Sequence, residues 1–117
     1  MWLIPTLVQF LTLLHSQPAG PEPSETFLAE MRGQEIAMNR CASCHAIGRS
    51  GVSPDHEAPP FRELQVRAPL LFEDPDFNRR MTVDHPVMPD FTLTEQERAD
   101  ITAYVRSLDR PIEDFAR

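Results

Sequence analysis

Cys41-Ala42-Ser43-Cys44-His45 contains the only two cysteines of the chain, two residues apart and followed at once by a histidine. This is the attachment spacing of c-type haem. Each thiol can add to one porphyrin vinyl group, and two intervening residues let both reach the ring edge within one helical turn. His45 then falls beneath the iron, where its imidazole supplies the proximal ligand. Three other chemistries use paired cysteines. A thioredoxin-like redox pair needs a βαβ setting, yet no alternating strand pattern is sustained anywhere. A zinc site needs a second ligand pair, and there is no third cysteine. An incidental reduced pair belongs in a cytosolic protein, whereas the N-terminus here points to export. The pentapeptide is read as the site of one covalently attached haem c with its iron.

Helical patterns flank the motif at a distance. Over residues 25–40, Phe27, Leu28, Met31, Ile36 and Ala37 recur at roughly helical spacing. Ser24 or Thr26 can cap the start, and Glu25 and Glu30 suit a helix N-terminus. Gly33 lies inside this helix, where glycine costs about 1 kcal/mol relative to alanine, so close approach of another backbone is expected there. Near the other end, Thr94 with Glu97 three residues on forms a capping box. Ile101, Tyr104, Val105 and Leu108 give that helix an apolar stripe, and Pro111 is expected to stop it. Between Ala46 and Phe91 lie seven prolines and no long periodic run. Short helices are expected at 64–66, 70–72 and 77–81. The fold class is all-α, with loops that need something to wrap around.

The residue in the sixth iron position decides between carrying electrons and catalysis. Candidates are Met81, Met88, His56 and His85. Met88 stands in His85-Pro86-Val87-Met88-Pro89-Asp90-Phe91, between two prolines that hold the backbone extended and without regular hydrogen bonds. A thioether held there reaches across a cavity at little entropic cost. Methionine elsewhere is more often core filler, and a lone histidine such as His56 is more often an exposed polar residue.

Cys41 to His45, Met88-Pro89 with Phe91, and Asp100-Ile101-Thr102-Ala103-Tyr104 with Leu108 together resemble class I cytochrome c, in the right order over residues 33–108. The resemblance implies a small cytochrome c fold of bacterial type, with the first and last helices packed crosswise around the haem. It implies that Gly33, with Ile101 and Tyr104, is where those helices meet. It also implies that the carbonyl of Pro59, in Ala58-Pro59-Pro60-Phe61, orients the ring of His45, with Phe61 on the haem face. The iron ligands it implies are His45 and Met88. The stretch 67–83 departs from the usual third-helix pattern. Trp2, the single tryptophan, lies in the leader, so the propionate partners are sought among Arg62, Arg79 and Arg80.

The chain is 117 residues long, enough for one domain. Residues 1–20 carry no charged side chain, and 2–14 are almost continuously apolar. Such a run rises about 20 Å as a helix, short of the ~30 Å hydrocarbon core. It reads as a signal peptide, with Ala19 or Ser16 near the cleavage point, and directs the protein to the periplasm. The alternative is a retained anchor. Residues 21–117 then form the cytochrome c domain, and so small a domain needs a staple such as a bound cofactor.

Eighteen acids against eleven bases, every base an arginine, give a formal net charge of −7. That disfavours nucleic acid and anionic membrane as partners and favours redox proteins with basic docking faces. Membrane contact is expected only through partner complexes or an uncleaved leader. The function read from these features is one-electron transport through a His/Met-ligated haem, and not enzymatic catalysis. The alternatives are a tethered haem subunit of a larger oxidoreductase, or a haem peroxidase or gas-binding protein with a labile sixth ligand.

Overall fold

Ser24 opens the first helix, α1 (Glu25–Arg40): its hydroxyl accepts a hydrogen bond from Phe27 N at 3.2 Å. The computed structural model describes residues 20–84 and 92–111, without the side chains of residues 83 and 84. The leader with Trp2, the segment carrying His85, Met88 and Phe91, and residues 112–117 therefore lie outside the described residues. The face that α1 buries differs from the expected stripe. Glu30, Gly33 and Ala37 are buried, whereas Phe27 and Met31 are 44% and 53% exposed. Gly33 and Ala37 keep the middle of the inner face flat, so the last helix comes in against the backbone itself. A Cβ on Gly33 would lie 2.1 Å from Asp100 O and 2.8 Å from Tyr104 Cβ. Gly33 meets the expectation of a backbone contact.

That last helix, α4 (Glu95–Ser107), begins with the expected capping box. Glu97 N donates to Thr94 Oγ1 at 3.1 Å, and Thr94 N donates to Glu97 Oε2 at 2.9 Å. Its buried face includes Ile101, Tyr104 and Val105, together with the polar Asp100, Thr102 and Ser107. Each polar member is satisfied, as burial requires. Arg32 reaches both oxygens of Asp100, at 3.0 and 3.1 Å; these bonds, then those to Glu25, push the guanidinium pKa up. Thr102 and Ser107 donate back to Arg98 O and Tyr104 O.

The helix ends at Ser107, four residues before Pro111, so the proline is not the stop. Carbonyls at and just past its end are taken by Arg49, which donates to Ser107 O at 2.6 Å, to Leu108 O at 3.0 Å and to Arg110 O. A cation here also complements the negative end of the helix dipole. Tyr104 adds a second tie, its hydroxyl donating to Ile47 O at 2.8 Å. The chain just after His45 is thus fastened to α4 from two sides.

The middle of the chain holds three short elements: α2 (Phe61–Arg67), a 3-10 turn at Leu71–Glu73, and α3 (Phe77–Asp84). All three fall where short helices were expected, but α2 and α3 are longer. Pro60 precedes α2 with its φ already near the helical value, so the helix starts at Phe61 and not at Leu64. Beyond Met81 the apolar pattern ends while α3 continues, with Thr82 Oγ1 bonding back to Asn78 O at 3.1 Å. No strand occurs among the described residues. Phe61, Phe77, Leu93 and Ile101 meet in the core, between these short elements and α4.

Candidate functional site

Cys41 caps α1, its N–H donating to Ala37 O at 2.9 Å. Cys44 N and His45 N then both donate to Cys41 O, at 3.2 and 2.9 Å. The motif is therefore one tight turn, the shape its spacing calls for. From His45 the chain loops out and back. Ala46 N donates to Ser53 Oγ at 2.9 Å, Asp55 N to Cys44 O at 3.1 Å, and Phe61 N to Ala46 O at 2.9 Å. These bonds lay Pro59 against the histidine, with His45 Nδ1 at 2.8 Å from Pro59 O. A carbonyl can only accept, so Nδ1 carries the proton and Nε2 keeps its lone pair free for a metal. The Phe61 ring stands beside the imidazole, with ring centroids 5.4 Å apart.

Cys41, His45, Pro59 and Phe61 form one side of a cavity completed by Leu64, Leu71, Phe72, Phe77, Met81, Leu93 and Ile101. It encloses about 500 Å³, its open mouth included. Aromatic rings run along it, with Phe61–Phe72 centroids 6.1 Å apart and Phe72–Phe77 centroids 5.2 Å apart. The lining is apolar except for one imidazole and two sulfurs, which suits a flat hydrophobic macrocycle. Burial pushes the Cys41 thiol up to about 11, with Arg40 opposing weakly. A thiol held neutral makes a poor redox nucleophile or zinc ligand, while an uncharged sulfur bonded to carbon is at home there. Among the described residues, no cluster of three or more His, Cys, Asp or Glu could hold a bare metal ion.

The remaining candidates separate clearly. Met81 lines the cavity, His56 is exposed, and Met88 and His85 lie outside the described residues. Of the three arginines, Arg79 pairs with Asp76 at 2.8 Å and Arg80 with Asp74 at 3.3 Å. Arg62, next to Phe61, has a buried Nη1 without a hydrogen-bond partner among the described residues. Reading the sequence alone missed Ser53, Arg49 and Asn78. Each bonds to main-chain atoms distant in sequence, and no spacing rule announces such a partner.

A turn bearing two thiols and a histidine, set in an apolar cavity of an all-α domain, defines a small monohaem c-type cytochrome. The family model described as cytochrome c matches residues 30–109, and the chain belongs to the cytochrome c family, class I. Members carry haem c, an iron porphyrin attached covalently, and so does this chain. Cytochrome c-552 of Bradyrhizobium diazoefficiens is 32% identical over 81 residues, covering 65% of this chain and 71% of that protein. Cytochrome c oxidase subunit 2 of Alkalihalophilus pseudofirmus is 34% identical over 95 residues, 74% of this chain and 27% of that protein. This chain spans about a quarter of that second relative. No solved structure gives a significant match. Among the described residues, no helix is long and apolar enough to cross a membrane.

Proposed function

We propose that the protein is an exported one-electron carrier whose haem iron is held between His45 and Met88. The observation that carries this reading is the His45–Pro59 bond inside the apolar cavity, which leaves Nε2 for iron. The bound haem supplies reversible one-electron chemistry as its iron alternates between ferric and ferrous. Cys41 and Cys44 would hold it as thioethers, and Phe61, which lines the cavity beside His45, would pack against it. Met88, between Pro86 and Pro89 in the sequence, would supply the second iron ligand; the described chain lines the cavity both before that segment, at Met81, and after it, at Leu93. Of the three candidate arginines, Arg62 is the one with an unpaired buried nitrogen among the described residues, and it would pair with a propionate.

Histidine–methionine ligation favours the ferrous state and raises the potential. With His45 and Met88 both holding the iron, no site would be left on it for a substrate, so the protein would pass electrons and not act as an enzyme. The acidic surface, −7 overall, steers it to redox partners with basic docking faces, at on-rates that fall as salt rises. Residues 1–20 act as a signal peptide, and the mature domain works in the periplasm. The likeness to cytochrome c-552 supports an electron carrier.

Met88→Ala tests the ligand set. The variant is expected to hold a high-spin ferric haem that binds added imidazole or carbon monoxide. A low-spin variant that refuses both would assign the sixth position to another residue. A second reading, a tethered haem subunit of a larger oxidoreductase, draws on the likeness to part of a cytochrome c oxidase subunit 2. The intact mass of the protein from its native host decides between them: a free carrier has lost the leader, and a tethered subunit keeps it.

A further inference from the structure

Ser53 is the one buried residue between Ala46 and Pro60, 6% exposed, while its neighbour Val52 is 86% exposed. Burial of apolar surface alone would have put the valine inside and the serine out. The hydroxyl explains the reversal, because Ala46 N donates to Ser53 Oγ at 2.9 Å. Gly51, at a φ of 95° that suits glycine, turns the chain back toward the motif. Residues 53–55 then meet 44–46, and Asp55 N donates to Cys44 O at 3.1 Å.

These ties fall where the site depends on them. The His45 ring and the Pro59 carbonyl are fourteen residues apart in the chain, so their contact lasts only while the loop between them keeps its shape. Before His45 the main chain is held by the turn, since His45 N donates to Cys41 O. After it, Ala46 is held on both sides: its N–H by Ser53, and its carbonyl by Phe61 N, two residues past Pro59. Of these ties, only the one to Ser53 is made by a side chain.

We propose that Ser53 is a positioning residue for the proximal iron ligand. Through the Ala46 amide it holds His45 against the Pro59 carbonyl, and so sets the reduction potential. The bond from Nδ1–H to a carbonyl makes an imidazole more basic, and a more basic ligand favours ferric iron. Without the hydroxyl that bond weakens, the ring donates less, and the ferrous state gains. The proposal rests on His45 as an iron ligand, and not on Met88.

The test is the reduction potential of the haem protein, with proton NMR of its ferrous form. A neutral hydrogen bond weakened but not broken corresponds to about a threefold change. Ser53→Ala is therefore expected to raise the ferrous-to-ferric ratio about threefold at a fixed applied potential, which is about 30 mV for one electron. The His45 Nδ1–H resonance should move upfield at the same time. Ser53→Thr keeps the hydroxyl and is expected to recover most of both shifts. Thr94→Ala loosens the cap of α4 and is expected to leave both readouts as in wild type. If Ser53→Ala yields no haem protein, Ser53→Gly carries the same expectation. An unchanged potential in the Ser53 variants overturns the proposal. So does a raised potential with an unmoved Nδ1–H resonance, since the effect would not pass through His45. An equal rise in Thr94→Ala overturns it too, as a general loss of stability. The wild-type ferrous spectrum separates the two claims, because a ring bound to the iron has its carbon-bound protons shifted far upfield by the porphyrin ring current. If the His45 protons are so shifted while the Ser53 variants match wild type, the positioning claim alone is wrong; if they are not, both assignments fall.

Discussion

The α1–α4 crossing and the cavity half of the molecule are built on opposite plans. At the crossing, two capped helices of sixteen and thirteen residues meet through a glycine, with a buried carboxylate held by Arg32 and every buried hydroxyl bonded. That contact is complete with protein atoms alone. Around the cavity, α2 buries only Phe61 and the 3-10 turn buries nothing. Aromatic rings there line a space and do not fill it. The first region is a frame, and the second is a shell that takes its packing partner from the porphyrin. A chain this small divides the labour because it lacks the apolar residues to build two full cores.

Breaking the frame should have the largest effect. In Gly33→Val even the first side-chain carbon would collide with Asp100 O, a main-chain atom that cannot rotate away. The cost is expected to reach the ~5 kcal/mol that a marginal domain has in total. Expression should give no folded haem protein by circular dichroism and pyridine haemochrome assay.

A cut into the shell should do less to stability and more to the haem. Phe77→Ala removes a ring that is 2% exposed and faces the cavity, and is expected to cost about 3 kcal/mol. Urea unfolding measures that cost, and the shell account adds a shifted Soret spectrum in the folded variant. Thr94→Ala sharpens the contrast from the other side. Losing the cap of α4 should cost about 1 kcal/mol, read by thermal unfolding, while the Soret spectrum stays as in wild type. Equal spectral changes in the two variants would dissolve the distinction between frame and shell.

The frame was the more legible region, and the reason is local. Ser24, the Thr94–Glu97 box and helical spacing act within a few residues of where they are written, so both long helices could be placed from them. The buried face of α1 was misread for an instructive reason. Phe27 and Met31 follow the apolar period, but the partner helix comes so close at Gly33 that no side chain fits there, and the contact is centred on Gly33 and Ala37 instead. Hydrophobic spacing reports burial where side chains separate two helices, and loses its meaning where backbones touch. In the shell the motif Cys41–His45 announced itself, because covalent attachment fixes its spacing. The supports around it did not. Arg49 and Asn78 act on carbonyl and amide groups of residues 107–110 and 93, and main-chain acceptors look alike at every position. The extra length of α3 was hidden as well, since position 84, the next on the Phe77–Met81 face, is an aspartate and the apolar period stops at Met81.

The most direct test of the central claim, a haem c ligated by His45 and Met88, is the optical spectrum of the purified wild-type protein, ferric and ferrous, with and without carbon monoxide. The account predicts a low-spin spectrum in both states, with the weak red sulfur-to-iron band in the ferric form and no change on adding carbon monoxide. A high-spin ferric spectrum, or ready carbon monoxide binding by the ferrous protein, would contradict it and make the protein a catalyst or sensor with an open iron site.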